Sequence, residues 1–197
     1  IYLDDERTFW VGTKGNGILK IYDYEFDKNI SDCRAEVLTT SNSALSSNAV
    51  YCFAKSHRNL LWIGDEEGLT YYSYREKRIK SIPIRIGNED FKYIHDIYET
   101  ADSELWLVSV GMGVVKARIA GTPDNPVIVD AQRYIINDGE LGSNYFFTIY
   151  AENEANLLFG NKGYGVFRYN ETTNGLEPVS THKYENMTLN NICLLYT

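Results

Sequence analysis

The chain has 197 residues, 44% of them apolar and 23% charged, with a formal net charge of −8 and a pI near 4.9. That balance is globular rather than disordered. The acidic charge argues against binding a phosphate backbone, which needs a basic stripe to displace counterions, so no nucleic-acid partner is expected. No apolar run reaches the roughly 18 residues of a spanning helix.

In chain order, the opening residues Ile1 to Trp10 lack the basic start and apolar core of a signal peptide. They already fit the middle of a repeat, so the sequence is expected to begin inside a longer one. Aligning on tryptophan brings out that repeat: a strand-turn-strand stretch recurs from Phe9, Leu61, Leu105 and Leu157. Trp10, Trp62, Trp106 and Leu158 are spaced by 52, 44 and 52 residues. Nine residues before each of these stand Ile1, Phe53, Ile97 and Ile149, and three further upstream Val50, Ile94 and Phe146. A glycine follows at Gly12, Gly64 and Gly160, with Val108 the exception, and a second at Gly17, Gly68, Gly113 and Gly165. Glycine suits such places because a tight turn needs positive φ or because backbone approaches too closely for a Cβ.

Each repeat therefore reads as strand, polar turn, strand, Gly-rich turn, strand, then a variable outer strand. Those outer strands are predicted near Glu36–Thr39, Arg78–Ile84, Ala131–Ile135 and Leu176–Ser180, where Pro83 and Pro178 are tolerated at a sheet edge. The stretch from Pro123 to Pro126 is a turn that lengthens the third repeat. Lys20, Lys116 and Arg168 recur three residues after the second glycine, an outward or inter-sheet position for a snorkelling cation. Ile192, Leu195 and Tyr196 restart the pattern. A period of about 40 to 50 residues with four strands per unit is that of an all-β, β-propeller chain. The blades fall near 1–40, 48–86, 92–136 and 144–181, with the first strand of a fifth at 190–197. Four blades are too few to close an ordinary ring. The chain is thus expected to be a partial propeller, or to pair its ends with another copy.

The pattern Leu45-Ser-Ser-Asn-Ala-Val50, followed by Leu61 to Tyr72, together with Phe9 to Asp23 and a looser copy at Leu141 to Asn144, resembles the two-component regulator propeller repeat. Val108, Leu158 and the stretch Phe91 to Tyr93 depart from it. The Trp-Asp, Gly-Gly and Asp-box marks of neighbouring propeller families do not occur. The resemblance implies the periplasmic sensor region of a bacterial hybrid histidine kinase anchored in the inner membrane. It also implies oligosaccharide signals and control of polysaccharide-utilisation genes, with the kinase elsewhere in the polypeptide.

Three cysteines, Cys33, Cys52 and Cys193, have no metal or redox spacing and are expected as buried hydrophobes. His57, His95 and His182 are scattered, no nucleophile or metal motif appears, and neither enzyme activity nor a cofactor or metal is expected in this segment. A glycan lyase or hydrolase propeller is the minor alternative. Trp10, Trp62 and Trp106 are expected between neighbouring sheets rather than on a ligand.

Propellers bind ligands where successive loops converge on the axis. The Gly-rich turns supply Lys14, Asn16, Asp65, Glu66, Met112, Asn161, Lys162 and Tyr164. The connections into each repeat supply Asn48, Tyr93, His95, Asn144 and Tyr145. Amides, cations and aromatics in that mixture suit a sugar, although solvated turns carry the same residue types. Expected partners are an oligosaccharide or other small ligand, further blades and sensor domains of the same polypeptide, and a second copy in a homodimer. A protein-interaction or dimerisation scaffold is the alternative reading.

Overall fold

Turns placed between short apolar runs fold the chain into successive up-and-down hairpins. The computed structural model describes residues 1–25, 27, 29–137 and 142–179. Sheet one is β1 (Tyr2–Leu3), β2 (Phe9–Gly12), β3 (Ile18–Ile21) and β4 (Ala35–Leu38). Sheet two is β5 (Val50–Lys55), β6 (Leu60–Asp65), β7 (Leu69–Ser73) and β8 (Arg78–Ser81), followed by a small hairpin, β9 (Arg85–Ile86) with β10 (Glu89–Asp90). Sheet three is β11 (Ile94–Glu99), β12 (Glu104–Ser109), β13 (Gly113–Thr122) and β14 (Asn125–Tyr134). Sheet four is β15 (Phe146–Asn153), β16 (Asn156–Asn161), β17 (Gly165–Asn170) and β18 (Gly175–Pro178). Each of the four is an antiparallel meander with its strands paired in chain order. The fold is all-β and propeller-like.

The tryptophan strands are apolar at nearly every position because both of their faces are covered. Period-two alternation then assigns each residue to a seam. In sheet two, Leu61, Ile63, Tyr72 and Ile79 pack with Trp10 and Ile18 of sheet one. Their neighbours Leu60, Trp62, Leu69 and Tyr71 pack with Ile97, Leu105, Leu107 and Val115 of sheet three. Sheet three repeats the arrangement: Trp106, Val108 and Val114 meet Phe146, Phe159 and Phe167 of sheet four. Each tryptophan therefore faces the next sheet and is buried, with 0%, 0% and 2% of Trp10, Trp62 and Trp106 exposed.

The first strands lie side by side, β11 against both β5 and β15. Their proximity explains the glycine after the tryptophan. A Cβ on Gly64 would stand 2.5 Å from Cys52 Sγ and 2.7 Å from the Ile94 carbonyl of sheet three. Gly17 answers the other demand, with φ of +74° and the Leu38 carbonyl 2.1 Å from where a Cβ would sit.

The outer strands differ from expectation in instructive ways. β8 stops at Ser81, before Pro83, because Ile82 and Ile84 turn inward to join the seam between sheets two and three. β14 starts six residues earlier than expected, at Asn125, because the Pro123–Asp124 turn joins two ten-residue strands; Pro126 sits on the open edge. β4 and β18 lie close to their predicted places. Ser180, His182, Cys193 and the expected strand at 190–197 lie outside the described residues. Cys33 is partly exposed rather than buried, whereas Cys52 is half-buried and packs on the seam between sheets two and three, its thiol 3.7 Å from the Ile94 carbonyl.

Candidate ligand face

In a four-stranded meander the first strand starts at the end where the second strand finishes, so the connection into each sheet and its Gly-rich turn share one edge. Main-chain hydrogen bonds join these loops from sheet to sheet. The Gly15 and Gly17 N–H groups donate to the Asn48 carbonyl, each at 2.9 Å. Glu66 N–H donates to Ala49 O, Tyr93 N–H to Glu66 O and Val110 N–H to Tyr93 O, at 3.0, 3.0 and 3.2 Å. Gly111 and Gly113 donate to Asn144 O at 2.9 and 3.1 Å, and Lys162 to Tyr145 O at 2.9 Å. Both predicted loop sets are thereby brought to one face.

Along this ribbon the side chains divide into framework and surface. Asn48 Oδ1 accepts from Thr40 N–H at 2.9 Å. Asn144 Oδ1 accepts from Ile136 N–H at 2.7 Å and its Nδ2 donates to Ile136 O at 3.1 Å, so each asparagine fastens the end of the preceding outer strand. Asp65 is fully buried and accepts from Glu67 N–H, Gly68 N–H and the Ser46 hydroxyl at 2.9, 3.0 and 2.6 Å. Burial holds its carboxyl above the usual range, and those hydrogen bonds pull it back in part. Asn161 plays the same part in sheet four, donating to Ser143 O at 2.6 Å. Met112 packs onto the seam between sheets two and three, and its sulfur lies 3.3 Å from Lys92 N.

Lys14, Asn16, Tyr93, Tyr145, Lys162 and Tyr164 are exposed, and Glu66 and His95 are half-buried. The Lys162 ammonium stands 5.4 Å from the centre of the Tyr145 ring. Tyr93 is held at φ +55°, a left-handed conformation uncommon for a residue with a Cβ.

Two residues that the sequence reading passed over complete this edge. In three first strands the pairing skips one residue at the same register: between Val50 and Cys52, between Ile94 and Asp96, and between Phe146 and Thr148. The skipped residues are Tyr51, His95 and Phe147. Each is a β-bulge position, released from its ladder partner and re-aimed. Tyr51 and His95 are stacked, with ring centres 4.2 Å apart and planes at 16°, and Phe147 meets His95 at 5.5 Å and 88°. Burial lowers the His95 pKa, favouring the uncharged imidazole. The available signal was an aromatic or histidine directly after the core residue of each connection.

At the opposite end of sheets one and two, an open cleft of about 340 Å³ is lined by Tyr2, Glu6, His57, Arg58 and Tyr74, among others. Lys55 and Asp5 cross its mouth as an exposed pair at 2.6 Å. Arg58 is anchored by the Ser103 hydroxyl at 3.0 Å and by Glu99 at 3.6 Å. None of the predicted site residues lies there. Among the described residues no three His, Cys, Asp or Glu side chains are grouped to hold a metal ion.

No family model matches the chain, and no curated protein matches it. Solved structures do. The extracellular domain of a protein assigned as a hybrid two-component system of B. thetaiotaomicron is 17% identical, with a TM-score of 0.70 over 90% of this chain and 24% of that one. The corresponding domain of a second such system from the same organism is 15% identical, with a TM-score of 0.63 over 89% of this chain and 22% of that one. Virginiamycin B lyase of Staphylococcus aureus is 16% identical, with a TM-score of 0.61 over 92% of this chain and 55% of the enzyme. The chain thus spans about a quarter of the length of the two sensor domains it matches. The fold is one shared by extracellular sensor domains of hybrid two-component systems, in keeping with the repeat that the sequence resembles.

Proposed function

We propose that the four sheets are consecutive blades of a larger propeller in the periplasmic region of a hybrid two-component sensor, and that the loop face binds its signal. The observation that carries this reading is the fold shared with two extracellular sensor domains, together with a loop edge that is hydrogen-bonded continuously from sheet to sheet. Signal binding acts through movement of packed sheets rather than through chemistry in this segment. The signal is an oligosaccharide, and the output is expression of polysaccharide-utilisation genes through a kinase elsewhere in a polypeptide anchored in the inner membrane. Lys14, Asn16, Glu66, Tyr93, His95, Tyr145, Lys162 and Tyr164 supply the ligand contacts. Asn48, Asp65, Met112, Asn144 and Asn161 hold the loops that carry them. A reporter gene in cells carrying the parent protein, grown on single purified polysaccharides, tests the reading. Induction by one or a few of them is expected, and a flat response across plant and host glycans overturns the sugar signal.

A further inference from the structure

We propose that the cleft between sheets one and two is a second binding site, for a zwitterion that carries a free ammonium and a free carboxylate, the class of amino acids and short peptides. Glu6 takes the ammonium, and Arg58 with His57 beside it takes the carboxylate. The site lies at the end of the sheets away from the Gly-rich loops and does not depend on the sensor reading.

One repeat position explains why an opening forms here. Four residues before each aligned tryptophan position stand Glu6, Arg58, Asp102 and Glu154, so the turn between the first two strands carries an acid in three sheets and an arginine in sheet two. Between sheets three and four these turns are tied together, Glu154 accepting from Ala101 N–H at 2.7 Å. Between sheets two and three Arg58 makes the tie, its Nη2 donating to the Ser103 hydroxyl at 3.0 Å with its Nε 3.6 Å from Glu99. Arg58 thus reaches toward sheet three. Among the described residues, only the exposed Lys55–Asp5 pair then joins the first turns of sheets one and two, over an opening of about 340 Å³. That volume is at the small end of the range for ligand sites, about 300–1,000 Å³.

Charge in the opening is sorted by wall: Asp5 and Glu6 come from sheet one, Lys55, His57 and Arg58 from sheet two. Among the described residues the Glu6 carboxylate makes neither a hydrogen bond nor an ion pair. The Arg58 guanidinium makes a single hydrogen bond, although such a group carries five N–H donors, and its buried Nε has no hydrogen-bond partner. Glu99 does not satisfy it. Its Oε2 accepts from the Trp62 indole and the Ser56 hydroxyl at 2.6 and 2.5 Å, and its Oε1 stays beyond hydrogen-bond reach of Arg58 Nε. Arg58 Nη1, with no acceptor among the described residues, is left for a ligand carboxylate. An anion alone would face Glu6 unpaired and a cation alone would leave Arg58 as it is, whereas a zwitterion answers both walls. Tyr2 and Tyr74, packed against the seam, also line the opening and offer their rings to the ligand's carbon skeleton. The Lys55–Asp5 pair at the mouth is exposed, so parting it costs little.

The test is calorimetric titration of the full chain with alanine, dialanine and trialanine, which separates an amino-acid from a peptide ligand, and with the N-acetylated and C-amidated forms of each. We expect one of the three to bind, and blocking either terminus to weaken it at least about tenfold, as loss of a charge-assisted hydrogen bond predicts. Glu6→Gln should weaken the free ligand about tenfold and leave the N-acetylated form within about twofold. Arg58→Gln should do the converse, weakening the free ligand and sparing the C-amidated form. Because Arg58 also ties sheet two to sheet three, circular dichroism first establishes that this variant folds; the exposed His57→Gln, expected to weaken the free ligand about threefold and spare the amide, decides if it does not. Blocked ligands that bind as well as free ones, variants that weaken blocked and free forms alike, or no binding tighter than about 1 mM each overturn the site. The reporter response to polysaccharides reads the sensor hypothesis separately.

Discussion

Trp10 and Trp106 hold the same place in their repeats and both fill the seam with the next sheet, yet the two seams are built differently. Trp10 donates its indole N–H to Asp4 at 2.8 Å, and Asp4 also accepts from the Tyr74 hydroxyl of sheet two at 3.1 Å. Lys20, only 5% exposed, donates to the Tyr72 hydroxyl at 2.8 Å and stands 4.6, 4.6 and 4.1 Å from the ring centres of Trp10, Tyr22 and Tyr72. Trp106 instead lies among Tyr134, Phe159 and Tyr169, with centroids 5.9, 5.6 and 4.8 Å away. Lys116, the counterpart of Lys20, pairs with Glu104 at 2.9 Å and keeps a quarter of its side chain in solvent. The partners of the two cations differ. Lys20 donates to the Tyr72 hydroxyl of sheet two, whereas Lys116 finds a carboxylate in its own sheet, Glu104, two residues before Trp106, where sheet one has Thr8. One repeat position thus becomes a buried cation in one seam and a rim charge in the other.

The largest expected effect comes from removing the tryptophans. Trp106→Ala should cost about 3–5 kcal/mol, the range for deleting a buried large aromatic. Trp10→Ala should cost at least about 1 kcal/mol more, because it also strips a hydrogen bond from the buried Asp4 carboxylate. Urea unfolding of the two variants measures the difference. Equal costs would mean that the polar half of the Trp10 seam adds nothing to its stability.

Removing the cations sharpens the comparison. Lys20→Ala loses a charge-assisted hydrogen bond and cation–π contacts in a desolvated site, for which about 2 kcal/mol is expected. Lys116→Ala loses a partly solvated pair and should cost a few tenths of a kcal/mol (~0.3). The same unfolding experiment reads both, and an effect at Lys116 as large as at Lys20 would contradict the assignment of the second seam as apolar.

These seams also show why the sequence is legible in some respects and silent in others. The strands, their order within a sheet and the seam role of tryptophan follow from period-two alternation and glycine placement, which any one repeat displays by itself. The depth of Lys20 against that of Lys116 does not, because it depends on which partner the fold brings to the ammonium, a tyrosine of the next sheet or a carboxylate of its own. The early end of β8 depends on Ile82 and Ile84 joining a seam that forms only with sheet three. Of the candidate site, the shared loop face could be read from the repeat. The framework duties of Asn48, Asp65 and Asn144 are tertiary facts, and so is the Tyr51, His95 and Phe147 row, since a bulge shifts register without altering residue type.

The smallest expected effect is a difference in how the seams respond to pH. Asp96 carries one first strand of the Trp106 seam, accepting from Ile149 N–H at 2.7 Å and the Thr148 hydroxyl at 3.1 Å across the sheets, and from Ile97 N–H at 2.9 Å. Burial raises its carboxyl pKa more than those hydrogen bonds lower it. The folded state therefore binds this proton more tightly than the unfolded chain does. Its contribution to stability is present at pH below the ordinary carboxylate value and is lost as pH rises through the window just above it. In the Trp10 seam, burial lowers the Lys20 pKa, with Glu36 and Asp4 opposing. That contribution is present above the ordinary lysine value and is lost as pH falls through the window just beneath it. Melting temperature followed from pH 4 to 10, roughly the span of these two windows, should therefore lose acid-side slope in Asp96→Asn and alkaline-side slope in Lys20→Met. Asp65, raised for the same reason as Asp96, retains part of the acid slope in the first variant. If both substitutions flattened the same limb, the two seams would be drawing on one shared set of charges, and the contrast between them would fail.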